Sequence, residues 1–331
     1  MIRGIIVLFI IALLLIIALA ISIALVFTIG VKATQKDTSS STTFSTSTIS
    51  SVSPLYEPCE CGCPSIEPFF NNEMKVATAR IVNGETVRAH SWPWQLFLLA
   101  YDPETKLSTS CGATLLTQRH VLTAAHCVHG YLPPNIFLFA GQHARNFNTS
   151  LTDTHFVNKV YIHEGYNANA YNDLAILTTE EAFRFDSYVS PICLATPNSS
   201  LLQATEELVA IGWGRTSGQP ETLRVPKYLQ QVKVAYMPTS NPNCSGIFES
   251  EYTLHPGQMC AGNPGHNICR GDSGGPLMRR MRLTNTETYY WQQVGVASLT
   301  NRCGWNSTWP DIYTNVPYYY DWIMTTVKHA V

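Results

Sequence analysis

The chain has 331 residues, 45% of them hydrophobic and 13% charged, which is enough for one large or two small domains with real cores. Its 21 Lys and Arg stand against 23 Asp and Glu, a net charge of -2 with no basic block, so the electrostatic footprint of a nucleic-acid-binding protein is absent. Its 10 cysteines point to an oxidising compartment, and the paired Cys-x-x-Cys or His ligands of a zinc site do not occur.

Residues 4–31, between Arg3 and Lys32, carry no charge and are nearly all Ile, Leu, Val, Ala or Phe. A bilayer-spanning helix needs about 20 such residues, whereas a cleaved signal has an apolar core of roughly 7 to 15. The expectation is a signal-anchor over 4–31 behind a cytoplasmic tail of residues 1–3. The alternative is a long signal peptide cut near Ala18-Leu19-Ala20, which gives a secreted product. Arg3 is answered by Lys32 and Lys36, so flanking charge does not set orientation. The disulfide-bearing C-terminal part does, and it places the chain as a single-pass type II protein of the plasma membrane with that part outside. Of the 20 residues from Thr34 to Ser53, 14 are Ser or Thr. Such a stretch buries too little apolar surface to offset its ordering entropy, so 32–58 reads as an extended stalk open to O-glycosylation.

Beyond the stalk lie Cys59-Glu60-Cys61-Gly62-Cys63-Pro64 and Ala79-Arg80-Ile81-Val82-Asn83-Gly84. From Trp92 to about Val316, short β-rich runs broken by Gly, Pro and Asn suit an all-β domain rather than βαβ units. Within it stand Leu122-Thr123-Ala124-Ala125-His126-Cys127, then Tyr171-Asn172-Asp173-Leu174-Ala175, then Gly271-Asp272-Ser273-Gly274-Gly275-Pro276. A serine between glycines can occupy a tight turn that exposes its hydroxyl and leaves nearby N–H groups free for an oxyanion. That hydroxyl is a weak nucleophile until a general base, itself oriented by a third group, removes its proton. A Gly-rich turn alone is more often a surface loop, and a His beside Cys more often a packed core residue. Together, in the order His, Asp, Ser, the three motifs resemble the chymotrypsin/trypsin family of serine endopeptidases. The resemblance covers about residues 61–331.

The resemblance implies two six-stranded antiparallel β-barrels and a C-terminal helix. The first barrel would supply His126 and Asp173 and the second Ser273, with the amides of Gly271 and Ser273 as oxyanion hole. It implies a pro-segment, 59–80, ahead of a protease domain, 81–331. An activating protease would cut after Arg80, and the freed Ile81 ammonium would pair with Asp272, leaving the intact chain nearly inactive. Thr109 stands where many family zymogens have a histidine that holds this aspartate, which loosens latency. Implied disulfides are Cys111–Cys127, Cys244–Cys260, Cys269–Cys303 and Cys61–Cys193, the last tethering the cut protease to its anchor. Leu208 and Arg279 occupy both ends of a further family bridge. Cys59 and Cys63 remain, to pair with each other or between molecules. At the C-terminus, Trp322, Ile323 and Val327 recur at helical spacing after Pro317, which predicts a helix, taken to dock on the second barrel.

Asn267, Ser298, Thr300 and Asp311 match the substrate-binding positions. Asn267 replaces the aspartate of a trypsin-type pocket, and Asp311 replaces a glycine on the opposite wall. Two readings stand: Asp311 receives Lys or Arg, or Asn267 and backbone amides satisfy it internally, shortening the pocket for aliphatic residues. Thr300, in place of a glycine, and Leu299, in place of a tryptophan, favour the second. Asn148, Asn198, Asn243 and Asn306 head Asn-x-Ser/Thr sequons, Asn243 being disfavoured by its neighbour Cys244. Gly141-Gln142-His143 lacks the leading carboxylate of the calcium loop found in part of the family, so neither metal nor cofactor is expected. Expected partners are protein or peptide substrates, the activating protease, protein protease inhibitors and the membrane, but no nucleic acid. Two other classes remain: a catalytically silent binding or adhesion module, which typically loses a triad member or the oxyanion glycine, and a lipase or esterase, which places its nucleophile first.

Overall fold

The computed structural model describes residues 59–70, 84–145, 154–199, 201–215, 225–245, 253–284, 286–300 and 309–330. The expected anchor, the stalk and the bond after Arg80 lie outside the described residues, and no helix among those described is long and apolar enough to cross a membrane.

After the short β1 (Glu85–Thr86), the run Gln95-Leu96-Phe97-Leu98-Leu99-Ala100-Tyr101 is apolar on both faces, which suits a strand covered on both sides. It forms β2 (Gln95–Tyr101). With β3 (Ser108–Leu115), β4 (His120–Thr123), β5 (Ile136–Phe139), β6 (Thr154–Ile162) and β7 (Ala175–Thr179) it closes an antiparallel barrel in the order β2-β3-β4-β7-β6-β5. Leu96, Leu98, Leu115, Leu122, Ile136, Leu138 and Ile176 are fully buried, each contributing about 1.5–3 kcal/mol of apolar transfer.

After β8 (Cys193–Leu194), the second barrel is the ring β9 (Glu207–Gly212), β10 (Gln230–Met237), β11 (Gln258–Ala261), β14 (Asp311–Asn315), β13 (Tyr289–Leu299) and β12 (Pro276–Arg282), closed by β9 against β10. β1 adds to β10, and β8 lies parallel to β13. The apolar core runs through the seam, where Phe97 meets Trp213 edge to face and Trp94 Nε1–H donates to Met278 Sδ at 3.1 Å.

Residues 59–70 lie on the second barrel. The disulfide Cys61–Cys193 joins them to β8, and Gly62 exchanges backbone hydrogen bonds with Pro191 and Trp291. Further on, Gln231 Nε2–H donates to the Phe69 carbonyl and Lys233 sits over the Phe70 ring. Cys59 pairs with Cys63, resolving the alternative the sequence left open.

The C-terminal helix, Tyr320–His329, forms as its spacing predicts but packs elsewhere than expected. Ile323 enters the core shared with the first barrel, Trp322 Nε1–H donates to Glu164, and His120 of β4 contacts the Ala330 carbonyl at 2.9 Å. The helix therefore docks on the first barrel, because its buried stripe meets the surface around β4 and β7.

Candidate active site

His126 sits in a single 3-10 turn, Ala125–Cys127, directly after β4, and the disulfide Cys111–Cys127 pins that turn to β3. Asp173 lies two residues before β7, and the loop ahead of it turns sharply, with Ala170 and Asn172 both at φ 54. Asp173 is fully buried. Its Oδ1 accepts the His126 backbone N–H at 2.9 Å, and its Oδ2 lies 2.7 Å from His126 Nδ1. Ser298 Oγ donates to the same Oδ2 at 2.6 Å, while Thr314 Oγ1 donates to the Asp173 carbonyl at 2.8 Å. Ser298 and Thr314 belong to the second barrel, so the carboxylate of the first is oriented from across the seam. Burial disfavours the imidazolium of His126, but the hydrogen bond and charge of Asp173 outweigh it and raise its pKa above the ordinary histidine value.

Ser273 occupies the turn before β12. Its carbonyl accepts the Gly112 N–H at 2.8 Å, and Gly112 in turn accepts from Thr123 Oγ1 at 2.9 Å. Gly274 has φ +78, and a Cβ there would collide with the Gly112 carbonyl and Thr123 Oγ1, so the turn closes on the strand leading to His126 only with glycine. Gly271 is also left-handed, at φ +103. Among the described residues the amides of Gly271 and Ser273 donate to no acceptor, and no hydrogen bond joins Ser273 Oγ to His126. Catalytic contacts of this kind are commonly long until substrate binds.

Asp272 is 1% exposed, and its oxygens accept the Gly214 N–H at 2.7 Å and the Cys269 N–H at 2.9 Å. Burial outweighs these two bonds and pushes its pKa up to about 6. Thr109 takes no part in holding it, since its hydroxyl is engaged with Tyr131 Oη at 2.7 Å. Gly214 and Thr314 were not foreseen from the sequence. Neither carries a chemical signature, because each acts through one amide or hydroxyl that only the fold brings to an aspartate.

Asn267, Ser298, Thr300 and Asp311 converge beside this turn, with Asp311 Oδ2 accepting the Ile268 N–H at 2.7 Å. Cys244–Cys260 is formed, and Cys269 is disulfide-bonded, while Cys303 lies outside the described residues. Arg80, Ile81, Asn148 and Asn306 also lie outside them, whereas Asn198 is exposed on a turn and Asn243 is exposed in the four-residue helix Pro242–Ser245. The Sγ atoms of Cys111 and Cys127 lie near His126 in a ligand-like group, but their disulfide leaves no thiolate for a metal.

Two antiparallel barrels, with a buried Asp–His pair on one and a serine turn with unengaged amides on the other, define a serine-type peptidase. The Trypsin family model matches residues 81–323, and the chain belongs to that family. It is 32% identical over 255 residues to ovochymase of Halocynthia roretzi, covering 76% of this chain and 15% of the relative. It is 31% identical over 274 residues to human testisin, covering 77% of this chain and 81% of testisin, and 30% identical over 273 residues to CLIP domain-containing serine protease B4 of Anopheles gambiae, covering 76% and 71%. The protein is a serine endopeptidase acting on protein substrates.

Proposed function

We propose that the chain is an extracellular, membrane-anchored protease made as a zymogen and working through a Ser273–His126–Asp173 triad. The 2.7 Å bond between His126 Nδ1 and Asp173 Oδ2, on an aspartate fixed from both barrels, carries this reading. With Nδ1–H committed to the carboxylate, Nε2 is left as the basic atom. It takes the Ser273 proton as Oγ attacks the scissile carbonyl, and the imidazolium that forms is stabilised by Asp173. The Gly271 and Ser273 amides receive the oxyanion, at about 3–4 kcal/mol per donor in comparable sites. His126 then protonates the leaving amine, and water, deprotonated by the same nitrogen, hydrolyses the acyl-enzyme.

Cleavage after Arg80 supplies the Ile81 ammonium that buried Asp272 lacks in the uncut chain. The Cys61–Cys193 bond then keeps the 81–331 domain attached to residues 1–80, and so to the anchor at 4–31 and the stalk at 32–58. Partners on this reading are an activating protease, peptide substrates and protein inhibitors. The completeness of the three motifs favours catalysis over the silent binding module. The test is to cut the ectodomain with trypsin, establish an Ile81 amino terminus and assay a peptide library. Activity that arises with the cut and is missing in Arg80→Gln supports the zymogen reading; equal activity in both overturns it.

A further inference from the structure

Asn172, the residue before Asp173, has φ 54, a left-handed conformation that asparagine tolerates better than most side chains. Both ends of its amide are engaged. Nδ2–H donates to the Gly165 carbonyl at 2.7 Å, which leaves Oδ1 to accept the Tyr319 Oη–H, also at 2.7 Å. Tyr319 is 3% exposed and stands at the start of the C-terminal helix, 147 positions further along the chain. Two glycines make room for this contact. A Cβ at Gly257 would collide with Tyr319 Oη, and one at Gly165 would come within 2.8 Å of Asn172 Nδ2.

The neighbours of Asn172 are held from outside the first barrel in the same way. The Ala170 carbonyl accepts from Gln258 Nε2–H of β11 at 3.2 Å, the Tyr171 ring stacks on His255 at 5.2 Å, and the Asp173 carbonyl accepts from Thr314 of β14. The Asn172 carbonyl itself accepts the Leu174 N–H at 2.9 Å, closing the turn around Asp173. Asp173 therefore leaves a backbone whose direction on one side is set by Thr314 and on the other by the Asn172 side chain. An imidazole follows the carboxylate that holds it, so a small rotation at Asn172 is carried to His126.

We propose that Tyr319 is a positioning residue of the peptidase, acting through Asn172 to fix the backbone from which Asp173 aims the His126 imidazole. The inference rests on the peptidase reading above and adds a residue which that reading does not use. The phenol ring also packs against His163 and Tyr318, so the hydroxyl has to be separated from the ring. Tyr319→Phe does this. Asn172→Gly removes the amide while leaving the left-handed backbone accessible.

The experiment uses the full-length chain, cut with trypsin after Arg80, freed of trypsin and titrated with a fluorophosphonate to count competent sites. Wild type, Tyr319→Phe, Asn172→Gly and the double variant are compared on the peptide that wild type cleaves fastest, with kcat expressed per titrated site. Tyr319→Phe should lower kcat about tenfold with KM within about twofold, because the loss falls on the transition state. Asn172→Gly should lose at least as much. In its background Tyr319→Phe should change kcat by less than about twofold, since a residue acting through Asn172 has nothing left to act on. A Tyr319→Phe kcat within about twofold of wild type overturns the inference, as does a loss confined to KM or one that persists at full size in the Asn172→Gly background. Should Tyr319→Phe yield no folded protein, an Asn172→Gly enzyme with wild-type kcat overturns it equally. Failure of correctly cut wild type to react with the fluorophosphonate is a different result, and counts against the peptidase reading itself.

Discussion

Ser298 Oγ lies 2.6 Å from Asp173 Oδ2, the same oxygen that sits 2.7 Å from His126 Nδ1. One carboxylate oxygen thus serves a donor from each barrel, and the relative placement of the barrels sets the imidazole's orientation. Removing the Ser298 hydroxyl leaves a buried carboxylate with one fewer donor, a loss of about 1.5 kcal/mol for a charge-assisted bond. Ser298→Ala should therefore lower kcat/KM roughly tenfold. Steady-state kinetics normalised to titrated sites check this, and an unchanged rate would show that the contact has no part in catalysis.

On the proposed mechanism the acid limb of the pH–rate profile belongs to His126. Catalysis needs the neutral imidazole, and Asp173 favours the charged one more than burial opposes it. Activity in kcat/KM should thus fall as pH drops through a midpoint above 6.5, the ordinary histidine value. Asp173→Asn removes the charge and leaves the burial, so the midpoint should move down while kcat falls by about 10⁴-fold. A midpoint that does not move would assign the limb to another group.

Asp272 makes the uncut chain sensitive to pH in the opposite sense from an ion-paired acid. Its folded pKa, about 6, exceeds its unfolded value of 3.8, so between these values the native state binds more protons than the unfolded one. Stability is lost as pH rises through that window, by on the order of 3 kcal/mol. Cleavage after Arg80 should supply the missing ammonium and flatten the slope. Denaturant titrations of Arg80→Gln and of the cut protein at pH 4 and pH 7 measure the difference, which also cancels the common contribution of Asp311, whose pKa burial likewise raises. Equal slopes would mean that the new terminus does not reach Asp272.

Gln231 joins residues 59–70 to the stretch around β1. Its buried side chain accepts from Trp92 Nε1–H at 2.9 Å and donates to Phe69 O at 2.7 Å and to Glu85 Oε1 at 3.1 Å. Gln231→Ala strands the Trp92 donor in the core and should cost about 2 kcal/mol. Denaturant midpoints at constant m-value report it; a change within about 0.5 kcal/mol would mark the contact as incidental.

The His, Asp and Ser motifs were legible because each carries its chemistry in a few consecutive residues, with glycines where Gly274 must pass the Gly112 carbonyl. The barrels were legible as a class from short apolar runs, although their strand order was not. Helical spacing at Trp322, Ile323 and Val327 fixed which face of the last helix is buried, but contains nothing about its neighbour, so the docking barrel was misassigned. Cys59 and Cys63 could pair with each other or elsewhere, since spacing alone does not choose; the fold does, with Cys61 taken up by Cys193 of β8 and Cys59 joined to Cys63. The pocket stayed ambiguous for a related reason. Asp311 and Thr300 are 11 positions apart, and whether one covers the other depends on the end of β13 meeting the start of β14.

The most direct test of the account is to react the cut ectodomain with a fluorophosphonate and locate the adduct by peptide mass spectrometry. A single adduct on the peptide containing Ser273, absent from His126→Ala and from the uncut chain, is the predicted result. A correctly cut, folded protein that remains unlabelled, or that is labelled at another residue, would contradict the assignment of Ser273 as a nucleophile activated by His126.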